Sequence, residues 1–154
     1  MNIPVYAETS VFGGVFDDEF AGASRLFFDQ VRSGRFRLVV SALVEAELEP
    51  APLRVRRLYE EMFDLAEDVD IAPEAIRLQQ AYLEAGIVSP GRSEDALHVA
   101  IATVAGCSVI VSWNFRHIVH LEKVPLYNAV NVVKGYREIA IYSPLEVISY
   151  EEEV

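Results

Sequence analysis

Residues 93–106 read SEDALHVAIATVAG and place two carboxylates and a histidine at the start of a run that is otherwise almost wholly apolar. Asp95 lies three positions before His98 and seven before Ala102, so the three side chains share one stripe of a predicted helix. The other sides of that helix are apolar, which is typical of a helix buried nearly all round. A short apolar segment, SVIVSW at 108–113, follows at once and predicts a buried strand. This pair of elements indicates an α/β fold.

The rest of the chain repeats the alternation of short apolar segments with helical patterns. Strands are predicted in IPVYAETSV as far as Glu8 and at 36–41, 108–113 and 139–143, and helices at 21–32, after Ser41, at 53–66, 73–85 and 93–105 and in YNAVNVVKGY. SPLEVI is predicted to form a short closing turn or helix. The Gly13–Gly14 pair predicts a turn, and DVDIAP is too short to classify. Short all-apolar strands separated by helices are typical of a parallel sheet covered on both faces.

Composition and charge limit the classes of function. A chain of 154 residues that is 52% apolar fits one folded domain. The net charge of −11 argues against a broad basic surface for nucleic acid, although acids around a divalent cation can still bring in a phosphate. Arg54, Arg56 and Arg57 would add attraction, or they form a solvated helix face. Cys107 is the only cysteine, which excludes a disulfide framework and a thiolate zinc site.

The sequence contains neither a basic leader with a long apolar block nor an apolar run of the roughly 18 residues that a membrane span requires. We therefore expect a cytoplasmic protein without a membrane partner.

Three acids fall where apolar segments turn polar, which is where sites form in parallel sheets. Glu8 ends the first strand, and Asp95 begins the buried helix. Glu47 follows Val44 by three positions and so shares its inward face. A buried ionised carboxylate costs several kcal/mol unless a partner offsets it. Mg²⁺ or Mn²⁺, which prefer hard oxygen ligands, would be such a partner.

Each acid taken alone also has a structural interpretation. Glu8 would be a strand-end acid bonded to backbone, and Glu47 an ordinary acid on a helix surface. Asp95 would complement the dipole of its helix, with Ser93 as the N-cap. The joint arrangement of the three favours a cation.

Polar neighbours of these acids have two interpretations each. Asn114 follows the third strand and would either cap the next helix or position a metal-bound water. Thr9 would either hydrogen-bond such waters or simply finish the strand. His117 and His120 have a spacing compatible with zinc, but no third ligand is evident. His98 is better interpreted as a hydrogen-bonded helix residue than as a catalytic base.

Four segments, VYAETSV, SALVEAEL, EDALHVAIA and VSWNFRHI, resemble in order and spacing the four motifs of the PIN-domain family. The resemblance extends over essentially the whole chain, and the later YNAVNVVKGY and IAIYSPLEVI resemble a VapC-like subgroup. It implies a single PIN-like domain over residues 1–150, built as a three-layer α/β/α sandwich with a central, mainly parallel sheet. A short acidic tail at 151–154 follows.

The resemblance also implies a function. The family consists of metal-dependent ribonucleases, many of them toxins of type II toxin-antitoxin pairs and commonly homodimeric, so RNA, an antitoxin protein and a second copy of the chain are the expected partners. Carried over by motif, Glu8, Glu47 and Asp95 hold Mg²⁺ or Mn²⁺. Asn114 occupies the fourth position and would orient the attacking water, and Thr9 is the hydroxyl neighbour of the first acid.

Two residues depart from the family pattern. Glu8 stands where Asp is more usual, and Asn114 stands where Asp is often found. Three carboxylates instead of four favour one bound metal over two. The alternative is a catalytically weak or inactive PIN fold that serves as a binding module, which Asn114 and the net charge favour. A phosphohydrolase with an aspartyl nucleophile is disfavoured because Glu8 ends the first strand.

Overall fold

The computed structural model describes residues 2–150, which form one sheet of five parallel strands. The strands are β1 (Ile3–Ala7), β2 (Phe36–Ser41), β3 (Glu67–Val69), β4 (Val109–Val111) and β5 (Ala140–Tyr142). Their order in the sheet is β3-β2-β1-β4-β5. The chain first adds β2 and β3 on one side of β1 and then adds β4 and β5 on the other side. The strand order therefore reverses between β1 and β4. Ligand sites of open parallel sheets form at such a reversal.

Helices cover the sheet in two sets. They are α1 (Thr9–Gly14), α2 (Ala21–Arg32), α3 (Ala42–Leu48), α4 (Leu53–Phe63), α5 (Pro73–Glu84), α6 (Ser93–Val104), α7 (Val124–Val133) and α8 (Pro144–Val147). In the first set, α1 packs against α2, α3 and α4, and α2 packs against β2 and α8. In the second set, α5 packs against α6 and α7, and α6 packs against β4. The predicted α/β/α sandwich is confirmed, with a sheet that is entirely parallel. None of the helices within residues 2–150 is long and apolar enough to cross a membrane.

The most buried helix is the one predicted from residues 93–106. Every residue of α6 from Ala96 to Thr103 is buried, and the helix packs between α5 and β4. The predicted glycine stops are confirmed, since Gly86 after α5 and Gly106 after α6 have φ of 73° and 77°, a region that only glycine adopts at little cost.

Two sequence predictions are wrong in detail, and one segment that the sequence left unclassified is assigned by the structure. The Gly13–Gly14 pair lies in the last turn of α1 and does not form a separate turn. The unclassified DVDIAP (68–73) begins inside β3, an edge strand whose residues are exposed or half-buried and therefore give no apolar run, and its Pro73 begins α5. Ser93 does not cap α6, because a 3-10 turn at Pro90–Arg92 runs straight into the helix. The acidic tail predicted at 151–154 lies outside the described residues.

Gly14 marks a close approach that fixes α1 against the end of β4. A Cβ atom at this position would lie 2.6 Å from Ser24 Oγ and 2.7 Å from Trp113 Nε1, and these two atoms hydrogen-bond each other at 2.9 Å. At Gly13, one residue earlier, a Cβ atom would meet nothing within 4 Å. The indole can therefore pack against α1 only where the side chain is absent.

We predict that Gly14→Ala lowers the free energy of unfolding by about 1–3 kcal/mol, because the methyl group must displace the Ser24–Trp113 pair. Gly13→Ala is the matched control and should be neutral or stabilising by up to about 1 kcal/mol, because alanine favours a helix where space is open. Urea denaturation followed by circular dichroism measures both. Equal stability of the two variants would contradict the close approach.

Candidate active site

The candidate site lies at the carboxyl ends of β1 and β4, where the strand order reverses. Glu8 follows β1 directly and its backbone N–H donates to the Val111 carbonyl of β4 at 3.0 Å. The residue is only 6% exposed, and its side chain caps α1 by accepting from the Ser10 N–H. Glu8 is thus fixed by a strand on one side and by a helix start on the other.

Two hydroxyls hold the Glu8 carboxylate. Its Oε1 accepts from Ser10 Oγ at 2.6 Å and from Ser112 Oγ at 2.5 Å, and its Oε2 accepts the Ser10 backbone N–H at 3.2 Å. Ser10 Oγ in turn accepts from the Trp113 N–H at 2.9 Å. The interpretation of Glu8 as a hydrogen-bonded strand-end acid therefore holds, but most of its partners are side chains from separate elements.

Glu47, the second predicted acid, lies in the last turn of α3. Its neighbours Glu45 and Glu49 are exposed, whereas the Glu47 side chain is 29% exposed and faces inward as predicted. Its Oε1 accepts from Thr9 Oγ1 at 2.5 Å and lies 2.6 Å from His98 Nε2. Burial opposes ionisation, but the hydrogen bonds with His98 and Thr9 outweigh it and lower the pKa of Glu47.

His98 is fully buried and both of its ring nitrogens are engaged. Nε2 meets Glu47 and Nδ1 lies 2.7 Å from Tyr6 Oη on β1. The prediction of a hydrogen-bonded helix residue is confirmed. Sequence reasoning did not identify its partners, since one lies 92 positions and the other 51 positions away.

Glu8 and Glu47 converge with His98 in one small region. One carboxylate oxygen of each acid and one ring nitrogen of His98 all lie within 4.8 Å of one another. Since both nitrogens of His98 already have partners, the oxygen atoms are the groups left for a cation. Carboxylate oxygens suit Mg²⁺ or Mn²⁺ better than zinc.

Asp95, the third predicted acid, lies in the first turn of α6 and is not part of that three-residue group. It is electrostatically coupled to it. Burial raises the pKa of Asp95, and the negative charge of Glu8 raises it further, whereas His117, His98 and the Asn114 side-chain hydrogen bond act in the opposite direction. The structure thus brings two of the acids together and places the third near enough for the charge of Glu8 to raise its pKa.

Asn114 bridges the end of β4 and the segment after it. Its N–H donates to Ser112 Oγ at 2.9 Å, its Oδ1 accepts from the His117 N–H at 3.0 Å, and its side chain acts to lower the pKa of Asp95. The segment that follows forms turns and not the helix considered from the sequence. Asn114 therefore accepts a hydrogen bond from the backbone of the segment after it and also lies near Asp95, the third acid.

The zinc interpretation of His117 and His120 finds no support. His117 Nδ1 lies 3.3 Å from Lys123 Nζ, and His120 Nδ1 accepts the Glu122 N–H at 3.2 Å. Between residues 2 and 150, the one group of candidate metal ligands is that of Glu8, Glu47 and His98.

A basic rim, defined as Arg92, Arg116 and Lys123, was missed by sequence reasoning. Burial and, after it, the charge of Lys123 lower the pKa of His117, with further lowering by Arg92 and Arg116, whereas Asp95 opposes them. The rim therefore lies near His117, a residue that is itself electrostatically coupled to Asp95. Its signal in the sequence was an arginine three positions before Asp95 and another two positions after Asn114.

The other basic cluster lies on α4, and the structure supports its interpretation as a solvated helix face. Arg54, Arg56 and Arg57 are all exposed on α4, as expected of a solvated helix face. The Arg54 guanidinium lies over the Phe16 ring, 5.1 Å from its centroid, and Arg56 donates to the Ala51 carbonyl.

Comparison with known proteins identifies the fold. No family model and no curated protein matches the sequence. A chain of VapBC2 from Rickettsia felis bound to promoter DNA matches with TM-score 0.57 and 11% identity, over 90% of this chain and 97% of the other. DNA-bound VapBC from Salmonella typhimurium matches with TM-score 0.56 and 18% identity, over 92% and 98%.

A third solved structure is VapC20 from Mycobacterium tuberculosis, described as a toxin that cleaves the sarcin-ricin loop. It matches with TM-score 0.52 and 12% identity, over 88% of this chain and 98% of the other. Likeness at such identities concerns the fold alone. The PIN-like, VapC-like fold predicted from the four motifs is therefore confirmed.

We predict that Ser112→Ala lowers the free energy of unfolding by about 1.5–3 kcal/mol, because the fully buried hydroxyl bonds a carboxylate and also accepts from Asn114. Ser33→Ala, which removes an exposed hydroxyl bonded only to the Gln30 carbonyl, is the control and should stay within about 0.5 kcal/mol of the wild type. Denaturant unfolding measures both. A Ser112→Ala variant as stable as the control would show that Glu8 does not depend on this bond.

Proposed function

We propose that this protein is a PIN-family endoribonuclease that hydrolyses RNA phosphodiester bonds with Mg²⁺ or Mn²⁺, and that Glu8, Glu47 and Asp95 hold the cation. The observation that carries the proposal is the convergence of Glu8 and Glu47, from separate elements, at the point where strand order reverses. Asp95 is coupled to the pair through Glu8. In a VapC-like fold, this arrangement supports metal-dependent nuclease chemistry better than a purely structural role.

The hydrogen bonds around the acids fit a cation. The Oε1 atoms of Glu8 and Glu47 each have two strong partners. Glu8 Oε2 has only a backbone N–H at 3.2 Å, and Glu47 Oε2 accepts no hydrogen bond from residues 2–150. Over the same residues, no lysine or arginine forms an ion pair with any of the three acids. Uncompensated negative charge in a half-buried site is what a divalent cation stabilises.

The chain's own residues have distinct tasks in the proposed reaction. A bound divalent cation would polarise the scissile phosphoryl group and stabilise the charge that develops on it. Ser10 and Ser112 hold Glu8, and Thr9 holds Glu47, so the carboxylates are oriented before RNA binds. The Asn114 amide, beside Asp95, would orient the attacking water. The departures at positions 8 and 114 leave three carboxylates and favour a single cation.

The basic rim would hold the RNA backbone next to this centre. Arg92 and Arg116 are exposed and Lys123 is half-buried, so their charges are available to phosphates. This would offset, at the site, the charge of −11 that the whole chain carries.

The biological setting we propose is a toxin-antitoxin pair in the cytoplasm. Two of the similar structures are VapBC complexes on DNA and one is an RNA-cleaving toxin. By that likeness, this chain would be the toxin, inhibited by an antitoxin protein and acting as a homodimer.

We predict that the protein cleaves RNA in the presence of Mn²⁺ and that Asp95→Asn lowers the rate at least about 100-fold, because several kcal/mol of charge stabilisation are lost. Glu94→Gln is the matched control, since this adjacent acid is exposed on the same helix and should leave the rate unchanged. The assay follows cleavage of a broad panel of single-stranded and structured RNAs, with and without chelator.

Cleavage that is equal in wild type and Asp95→Asn would refute the assignment of Asp95. A protein that binds no Mn²⁺ at millimolar concentration in calorimetric titration would refute the nuclease and leave the PIN-fold binding module as the function.

We predict that Arg116→Ala and Arg92→Ala weaken RNA binding and each reduce the slope of log affinity against log salt by about 1, as expected for the loss of one phosphate contact. Binding is measured in the Asp95→Asn background to prevent cleavage. Arg57→Ala on α4 is the control and should not change the slope. A loss of affinity with Arg57→Ala and none with the rim variants would place the RNA on α4 instead.

A further inference from the structure

We infer that His98 and Tyr6 are positioning residues for Glu47, forming a buried hydrogen-bond relay that decides which oxygen of this acid is presented to the cation. The inference rests on the proposed function, because it assigns a role toward a metal that Glu47 would hold. It concerns residues that touch neither the cation nor the RNA.

The relay starts and ends on the same short helix. Ser41 caps α3 by accepting the Val44 N–H at 3.4 Å, and its Oγ lies 2.8 Å from Tyr6 Oη. Tyr6 Oη lies 2.7 Å from His98 Nδ1, and His98 Nε2 lies 2.6 Å from Glu47 Oε1. Tyr6, Ser41 and His98 are all 0% exposed. The relay thus runs from the first turn of α3 through β1 and α6 to the last turn of α3.

The direction of each hydrogen bond follows from the chemistry of its ends. The Glu47 carboxylate can only accept, so His98 Nε2–H donates to it, and in a neutral ring Nδ1 is then left as an acceptor. The Tyr6 hydroxyl then donates to Nδ1 and accepts from Ser41, whose Oγ accepts the Val44 N–H. Every hydroxyl hydrogen in the relay has a partner in this arrangement. Tyr6 therefore fixes the tautomer that His98 needs in order to donate to Glu47.

The consequence for the site is the orientation of the Glu47 carboxylate. His98 and Thr9 both bond Oε1, which leaves Oε2 for a cation. An unrestrained Glu side chain at the end of a seven-residue helix would lose rotamer entropy on binding a metal. The relay restricts the rotamer freedom of Glu47 during folding, before a metal binds. Hydrogen-bond partners of metal ligands typically change metal affinity 10–100-fold when removed.

The first test compares His98→Asn with His98→Gln in the full chain. Both variants lose the ring, but an Asn amide reaches only the Nδ1 position, whereas a Gln amide reaches the Nε2 position and can still donate to Glu47. Titration calorimetry with Mn²⁺ should show a Kd raised about tenfold or more in His98→Asn and within about threefold of wild type in His98→Gln. A role in core packing alone would affect both variants alike.

The second test compares two buried tyrosines. Tyr6→Phe keeps the ring volume and removes the donor to His98 Nδ1. Tyr82→Phe is the control, because Tyr82 is equally buried and its hydroxyl donates to Asn131, away from the acids. Both should lose stability to a similar degree in denaturant unfolding, because each loses one buried hydrogen bond, but only Tyr6→Phe should raise the Kd for Mn²⁺ several-fold.

The outcomes separate the relay from the proposed function. Weaker Mn²⁺ binding in His98→Asn and Tyr6→Phe, with binding retained in His98→Gln and Tyr82→Phe, supports the relay. Wild-type affinity in folded His98→Asn and Tyr6→Phe overturns the relay and leaves the nuclease proposal intact. Equal loss in His98→Asn and His98→Gln also overturns it. A wild-type protein that binds no Mn²⁺ overturns both the relay and the nuclease.

Discussion

The constraint on which this structure depends is the placement of two carboxylates, Glu8 and Glu47, close together in a largely buried region without a lysine or arginine partner in the part of the chain that the structure describes. Like charges at short range in a low-dielectric setting repel strongly. The two carboxylates are instead stabilised by hydrogen bonds from the hydroxyls of Ser10, Ser112 and Thr9 and from the His98 ring. These donors come from α1, α6 and the end of β4. The acids can be stabilised only when all of these elements are in place.

The topology of the sheet follows from the same requirement. Reversal of strand order between β1 and β4 brings Glu8 and Ser112 together although they are 104 positions apart. The missing side chain at Gly14 allows the Trp113 indole to approach α1, which keeps Ser112, its neighbour in the sequence, against the start of that helix. The burial of α6 on nearly all sides carries His98 into the interior, where it reaches both Tyr6 and Glu47. The contacts that pack these elements together are therefore also the contacts that position the site residues.

The sequence predicted those features that produce a local pattern of residues along the chain. Apolar runs and helical spacing predicted the parallel sheet, the buried α6 and the inward face of Glu47. The edge strand β3 was missed because an exposed strand has no apolar run. The bond from Thr9 to Glu47 spans 38 positions and that from Tyr6 to His98 spans 92, and no local pattern records contacts at such separations. The assignment of a metal to Glu8, Glu47 and Asp95 stays a prediction.

Net charge alone is a weak guide to nucleic-acid binding for a physical reason. A charge of −11 describes the whole chain, but at physiological salt a charge is screened over about 8 Å, so a bound phosphate responds mainly to its immediate neighbours. Near His117 those neighbours include the basic rim, whose charges act on this residue. Distant acids keep the protein apart from non-specific polyanions, whereas the rim attracts a phosphate that has come within a few ångströms. In the proposed reaction, an acidic chain whose basic rim lies near His117 would therefore admit a phosphodiester at that edge and repel it elsewhere.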